Sequence, residues 1–262
     1  MKINFSKYHG TGNDFIMIDD RENVVDLSVA QVRSLCDRHF GVGADGLIKI
    51  LFKNSFDFEM VYYNSDGNLG SMCGNGGRCA AAFVHQLGMI GSEASFSAFD
   101  GPHHASIISL SPMLVKLKMN DVSKVSKEGD CFVVNTGSPH YVTFVNSVEK
   151  IDIVKMGREI RNSKEYVNEG INVNFVEIEN GGLKIRTYER GVEDETLSCG
   201  TGVTASVLAA VSAGLITSKD ICPVSTLGGK LKVYFKSASH GFEQIWLEGP
   251  AEVVFSGVVE LS

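Results

Sequence analysis

Two runs of small and apolar residues interrupt an otherwise alternating chain: Cys79-Ala80-Ala81-Ala82-Phe83-Val84, and Val203-Thr204-Ala205-Ser206-Val207-Leu208-Ala209-Ala210-Val211. Both are apolar on nearly every face, the mark of a helix enclosed by other structure. The pattern predicts helices over residues 76–87 and 202–212. Each is followed by a glycine, Gly88 or Gly214, suited to the left-handed position after a helix end. The surrounding material reads as strands. Residues 115–119 and parts of 230–235 alternate with period two, and Gly-rich or polar turns separate such segments. Shorter amphipathic helices are predicted near 29–38 and 154–161. Each half of the chain therefore reads as a curved sheet around one helix.

The two helices open on matching phrases, Cys73-Gly74-Asn75-Gly76 and Cys199-Gly200-Thr201-Gly202. The match extends outward. Tyr63-Asn64 precedes the first phrase about where Glu189-Arg190 precedes the second, and Met89-Ile90 or Leu215-Ile216 follows the closing glycine. This is an internal duplication that keeps a cysteine in both copies. It predicts two domains, with the change-over near Asn120-Asp121.

Composition narrows the partner. A net charge of −7 and a pI near 5.5 lack the clustered Lys and Arg of a nucleic-acid footprint or a basic membrane-binding face, so a small molecule is expected. No apolar stretch approaches the length of a membrane span, and Met1-Lys2-Ile3-Asn4-Phe5 lacks the apolar core of a signal peptide. A cytoplasmic protein with reduced thiols is the expectation. The six cysteines show no zinc spacing, and Cys36, Cys79, Cys131 and Cys222 sit among apolar neighbours as core residues.

Cys73 and Cys199 differ because each stands at a predicted helix N-terminus, where a thiol's pKa falls and the thiolate becomes available as a base. First-turn amides and the helix dipole there favour a carboxylate. With the halves face to face, two such sulfurs suit inversion at a carbon: one thiolate removes a proton and the opposing thiol returns one to the other face. Amide donors around the carboxylate would stabilise the charge that develops. The scheme requires neither metal nor cofactor. Inherited packing is the alternative for either cysteine alone. A redox dithiol is the alternative for the pair, although its cytosolic signature, C-x-x-C, is absent.

At these residues the sequence resembles diaminopimelate epimerase along nearly its whole length. The matching stretches are Tyr8-His9-Gly10-Thr11-Gly12-Asn13-Asp14-Phe15, Tyr63-Asn64-Ser65-Asp66-Gly67 through Met72-Cys73-Gly74-Asn75-Gly76-Gly77-Arg78, Gly137-Ser138-Pro139-His140, Ile171-Asn172-Val173-Asn174-Phe175, and Arg186-Thr187-Tyr188-Glu189-Arg190-Gly191 through Cys199-Gly200-Thr201-Gly202. The resemblance implies an α/β (α+β) fold of two pseudo-symmetric domains, each a barrel-like, mostly antiparallel sheet around a central helix, with the site in the cleft between them. The domains would be 1–119 with 250–262 returning to it, and 120–249. It implies cofactor-independent interconversion of LL- and meso-2,6-diaminopimelate on the lysine and peptidoglycan route, and a homodimer.

Carried over by position, Cys73 and Cys199 resemble the acid–base pair, and Gly74-Asn75 and Gly200-Thr201 the seat of the reacting carboxylate. Asn13, Asn64, Asn172, Glu189 and Arg190 resemble the set that holds the amino acid, and His140 and Glu189 the residues that tune the thiols. Two positions depart from the pattern: many members carry Asn where Ser138 stands and Gln where Gly46 stands. A proline or hydroxyproline racemase would share the paired-cysteine logic, and a thiol redox sensor is the non-enzymatic alternative.

Other signals are weaker. Gly41-Val42-Gly43-Ala44-Asp45-Gly46 spells a dinucleotide fingerprint, but a helix is expected before it and a strand after, the reverse of what that motif needs, so a turn is predicted. His9 is expected to order the loop before Asn13. His103-His104 reads as an exposed loop feature, and Arg190 could instead pair with Glu193, Asp194 or Glu195.

Overall fold

The computed structural model describes every residue except 71, 180 and 262. In chain order its elements are β1 (Lys2–Gly10), β2 (Asn13–Asp19), α1 (Val29–Cys36), β3 (Gly46–Leu51), β4 (Phe58–Asn64), α2 (Gly74–Gln86), β5 (Glu93–Ala98), β6 (Gly101–Leu110), β7 (Met113–Lys118), β8 (Val125–Glu128), β9 (Cys131–Asn135), β10 (Pro139–Phe144), α3 (Ile153–Arg161), β11 (Asn172–Glu179), β12 (Gly182–Glu189), β13 (Asp194–Thr196), α4 (Gly200–Ser212), β14 (Ile221–Thr226), β15 (Gly229–Ser237), β16 (Phe242–Pro250) and β17 (Glu252–Glu260). They form two compact units, Met1–Leu117 with the segment from Gly249 onward, and Lys118–Glu248.

In the first unit β1 pairs antiparallel with β2, β2 runs parallel to β3, β3 antiparallel to β4, β4 parallel to β5, and β5, β6 and β7 follow as antiparallel neighbours. β17 returns to pair antiparallel with β1. The second unit repeats that order and adds β13 antiparallel beside β12. β9 and β10 are antiparallel, β10 and β11 parallel, β11 and β12 antiparallel, β12 and β14 parallel, and β14 to β16 antiparallel.

Each parallel pair needs a crossover, supplied by α1 between β2 and β3, α2 between β4 and β5, α3 between β10 and β11, and α4 between β12 and β14. Ser28 starts α1 with a capping box: its hydroxyl accepts from Gln31 N–H, and the Gln31 side chain accepts from Ser28 N–H. Asp152 caps α3 by accepting from Lys155 N–H. Val32 and Leu35 of α1 pack on Phe5, Ile16 and Leu47, and Ile153 of α3 on Val173, Phe175 and Tyr188.

The apolar helices lie on the other face. α2 packs against β1, β2, β3, β4 and β6, and α4 against β8 to β12 and β15. Such all-round contact explains why Cys79 to Ala81 and Val203, Ala205 and Val207 to Ala210 are fully buried. Both helices start two residues earlier than their apolar pattern predicts, at Gly74 and Gly200, because glycine and polar first-turn residues carry no apolar signal. Gly88 and Gly214 take positive φ, +71° and +69°, just past the helix ends. Among the described residues no helix is long and apolar enough to cross a membrane.

His103 and His104 lie within strand β6 rather than in a loop. His103 stacks on Phe96 with ring centroids 5.3 Å apart, and its Nε2 lies 2.9 Å from Asp100 Oδ1. The apolar stem of β6 was masked in the sequence by the polar pair itself.

Candidate active site

In the first unit the sheet face under α2 changes character where the helix begins. A Cβ added at Gly76 would stand 3.0 Å from Ile48 Cδ1, 3.2 Å from Met60 Cε and 3.5 Å from Phe15 Cζ, so the first turn rests directly on apolar side chains of β3, β4 and β2. Two residues further along each strand the same face carries Asn13, Gly46 and Tyr62 with Asn64, since side chains on a strand alternate faces.

Cys73 is the N-cap of α2, with extended backbone (φ −107°, ψ 124°) and no side-chain capping bond. The first turn closes when Gly77 N–H donates to Cys73 O at 2.8 Å, leaving the amides of Gly74, Asn75 and Gly76 ahead of the intrahelical ladder. A chain of amides runs past the thiol. Asn13 Nδ2 donates to Asp45 Oδ2 (2.7 Å), Asn13 Oδ1 accepts from Asn75 Nδ2 (3.3 Å) and lies 3.4 Å from Cys73 Sγ, and Asn75 Oδ1 accepts from Arg78 Nη2 (2.8 Å). A carboxylate at one end and a guanidinium at the other thus orient both amides.

The outer anchor is itself fixed. Arg38 donates to Asp45 Oδ1 (2.7 Å) and to both oxygens of Asp14 (3.0 and 2.8 Å). Burial would raise the Asp14 pKa, but hydrogen bonds from Arg38 and Lys7 outweigh it and hold the carboxyl at about 2. At the inner end Arg78 is fully buried and also donates to Gly74 O (3.3 Å); burial pushes its pKa down. Gly10 makes room for it: a Cβ there would stand 3.3 Å from Arg78 Nη2. His9 orders this loop, accepting from Gly12 N–H at 3.4 Å.

The second unit repeats the frame with polar lining. Cys199, 8% exposed, is the N-cap of α4 (φ −114°, ψ 107°), and Val203 N–H donates to Cys199 O at 2.9 Å. Its Sγ lies 3.4 Å from Thr201 Oγ1, while Thr136 Oγ1 donates to Thr201 O at 2.9 Å and holds the first turn. Under Gly202, where the first unit has Ile48 and Phe15, lie Asn174 and His140. A Cβ at Gly202 would stand 2.3 Å from Asn174 Oδ1 and 3.3 Å from His140 Cε1.

His140 is fully buried, and burial, then the charge of Arg190, lowers its pKa to about 3. Its tautomer follows from its neighbour. Asn174 Oδ1 accepts from Thr187 Oγ1 (3.0 Å), so its Nδ2 donates to Tyr141 O (3.0 Å) and faces His140 Nδ1 (3.2 Å). Nδ1 is therefore the acceptor and Nε2 carries the proton. Imidazole 15N spectra should show that neutral tautomer unchanged from about pH 8 to about pH 5. The unfolded chain takes up this proton near pH ~6.5, so stability is expected to fall as pH drops from about 6.5 toward 3. A titration near neutrality would contradict the assignment.

Three more candidates gather at the ends of β10, β11 and β12. Asn172 Nδ2 donates to Ser138 Oγ (2.9 Å) and Pro139 O (3.1 Å), and its Oδ1 accepts from Arg190 N–H (2.9 Å). The Arg190 guanidinium reaches Glu169 O (2.9 Å) and Ser138 Oγ (3.3 Å). It does not pair with the neighbouring acids: Glu193 bonds Arg161 (3.3 Å) and Glu195 bonds Arg186 (2.6 Å). Glu189 Oε2 accepts from Thr196 Oγ1 at 2.9 Å. Asn64 lies across from Gly46 in the β3–β4 register.

The other four cysteines are buried core residues. Burial pushes Cys36 and Cys222 up to about 11 and Cys79 to about 12, and raises Cys131 as well. Asp45, Arg78 and Asn174 hold candidate site residues in place and were not singled out in the sequence. Arg78, a lone charge at the head of an apolar helix, carried a legible signal. Asp45 and Asn174 carried none.

The fold recurs among solved structures of low sequence identity. A Bacillus anthracis phenazine biosynthesis protein of the PhzF family superposes with a TM-score of 0.76 at 15% identity, covering 100% of both chains. A hydroxyproline epimerase from Agrobacterium vitis gives 0.69 at 13%, covering 98% of this chain and 91% of the other. A duplicated α/β scaffold with a cysteine at the N-cap of the central helix of each unit is the class that fold and site define. The sequence model of diaminopimelate epimerase matches residues 5–125 and 132–254. Diaminopimelate epimerases of Flavobacterium psychrophilum and Chlorobaculum tepidum are 47% and 42% identical, covering 97% and 96% of this chain and 98% and 99% of their own lengths. The chain belongs to the diaminopimelate epimerase family.

Proposed function

We propose that this chain interconverts LL- and meso-2,6-diaminopimelate, with Cys73 and Cys199 as the two acid–base groups at the α-carbon. The observation that carries the reading is the repeated placement of a cysteine as N-cap of the apolar helix in two units of the same strand order. That position favours thiolate. It also sets the sulfur beside the amides of Gly74-Asn75 or Gly200-Thr201, which suit the substrate carboxylate as it takes up enolate charge. One thiolate accepts the α-proton, the other thiol donates one to the opposite face, and the reverse reaction exchanges the roles. Stereoinversion requires both sulfurs to reach one carbon from opposite sides.

Asn13 and Asn64 of the first unit and Asn172, Glu189 and Arg190 of the second are the groups for the rest of the amino acid: a guanidinium for a carboxylate, a carboxylate for an ammonium, and amides that serve either. His140 and Glu189 tune the thiols in this scheme. It draws only on the chain's own groups. A homodimer and a cytoplasmic site of action belong to the same reading, supported by the family resemblance.

The test is incubation with LL-diaminopimelate in D2O, followed by NMR. Deuterium entering the α-carbon together with meso product is the expected result. Absence of exchange by intact, reduced protein would overturn the assignment.

A further inference from the structure

We infer that Tyr62 is a specificity-determining residue of this site, donating its phenol hydroxyl to the substrate carboxylate remote from the reacting carbon. The inference rests on the diaminopimelate reading above. It starts from the missing side chain at Gly46, which leaves the binding face with only backbone at that point of β3. The room is filled from the next strand. A Cβ at Gly46 would stand 2.5 Å from Tyr62 Cε2, 2.6 Å from Tyr63 O and 3.1 Å from the Tyr62 hydroxyl oxygen, and a Cβ at Gly70 would stand 2.5 Å from both Cδ1 and Cε1 of the same ring.

Tyr62 is therefore held between two glycines, one on each side of its ring. The chain beyond β4 folds back to bring the second one there: Asn64 N–H donates to Asn68 O (2.9 Å), and Gly70 N–H to Tyr62 O (2.9 Å). No larger residue fits at 46 or 70 while the ring is in place. Gly70 thus makes room for one aromatic side chain, and Gly46, whose Cβ would also meet the Tyr63 carbonyl, leaves the other edge of the ring open; the ring is half-buried rather than core.

The hydroxyl end lies among polar candidates. Tyr62 and Asn64 are two apart on β4 and share a face, and Gly46, over which the hydroxyl sits, pairs with Asn64 on one side and with Phe15 on the other. Asn64 Nδ2 would stand 3.1 Å from the Gly70 Cβ, on the side where that Cβ meets the ring. The Tyr62 ring edge and the Asn64 amide thus flank the same point at Gly70, and a phenol O–H with an amide N–H is a donor pair that suits a carboxylate.

This is a different place from the helix terminus. The Phe15 ring meets Tyr62 edge-on at 5.9 Å and lies against Gly76 in the first turn of α2, so it stands between Tyr62 and the amides beside Cys73. The contact is accordingly made to the unreacting end of the substrate. A contact held equally in ground and transition states alters KM and leaves kcat alone.

The experiment compares Tyr62→Phe with the wild type on LL-diaminopimelate, with melting temperatures measured alongside. The phenylalanine keeps the ring between its glycines and removes only the oxygen. KM is expected to rise about 5- to 20-fold, with kcat within about twofold, at temperatures where both proteins are fully folded. An unchanged KM, a lowered melting temperature at unchanged KM, or a loss confined to kcat would each overturn the inference. 2-Aminopimelate, which keeps both carboxylates and lacks the distal ammonium, is the second probe. Its inhibition constant should rise by a similar factor in Tyr62→Phe, and an unchanged constant would overturn the carboxylate assignment. Failure of the wild type to turn over LL-diaminopimelate would instead overturn the reading on which the inference rests.

Discussion

Cys73→Ala and Cys199→Ala are each expected to lose epimerisation by about 10³- to 10⁴-fold, the scale of a positioned acid or base. The two losses should be of similar size. A single thiol can remove and return a proton on one face of the α-carbon, but inversion needs a donor on the other. Each variant should therefore retain, at most, slow exchange of the α-hydrogen of one stereoisomer without forming the other. NMR of LL- and meso-diaminopimelate in D2O separates exchange from inversion and reads both in one experiment. Full inversion by either variant would remove the two-thiol mechanism, while leaving the family assignment standing. The alanine is small enough to leave the N-terminus of the helix intact, because neither cysteine makes a side-chain capping bond.

Gly202→Ala is expected to damage both stability and turnover. The new methyl would stand 2.3 Å from Asn174 Oδ1, a distance at which something must move. Asn174 is fully buried and tied to Thr187, Tyr141 O and His140, so the amide cannot step aside without breaking that set. Overpacking of this kind costs about 1–3 kcal/mol, and loss of a buried hydrogen bond adds to it. At about 2–4 °C per kcal/mol the melting temperature should fall by roughly 5–12 °C. Turnover should fall as well at temperatures where the variant is fully folded, because His140 and the first turn of α4 are displaced together. A variant that melts like the wild type would show that the α4 terminus has slack the packing does not reveal. The matching Gly76→Ala meets Ile48 Cδ1 and Met60 Cε, flexible ends that can yield, and should be milder.

These two glycines stand at equivalent places in the duplication, yet they differ in what lies beneath. Gly76 rests on Ile48, Met60 and Phe15, whereas Gly202 rests on Asn174 and His140. The two thiols therefore occupy chemically unlike surroundings in spite of their matching tetrapeptides. The duplication was visible in sequence because it repeats local signals: an apolar run, a glycine after it, a Cys-Gly pair before it. The asymmetry was not, because it is written on strands far away in the chain.

The same distinction runs through the whole molecule. Helix interiors, their closing glycines, the alternation in β7 and β15, and the polar Gly-rich phrases at the helix starts all depend on neighbours within a few residues, and they were legible in the sequence. So were the paired cysteines and the family to which they point. The helix starts at Gly74 and Gly200 were displaced by two residues because capping geometry, and not apolar patterning, sets a helix end.

What only the tertiary structure decided is how distant groups meet. Strand register brings Asp45 to Asn13 and Asn174 to His140, and the fold-back after β4 brings Gly70 over Tyr62. Burial decides that Arg78 orients an amide beside Cys73 and that His140 stays neutral. A sequence reveals periodicity because periodicity is short-range. Which amide oxygen faces a thiol, and which ring fills the room above a glycine, depend on packing between segments separated by tens of residues, and that information exists only once the chain has folded.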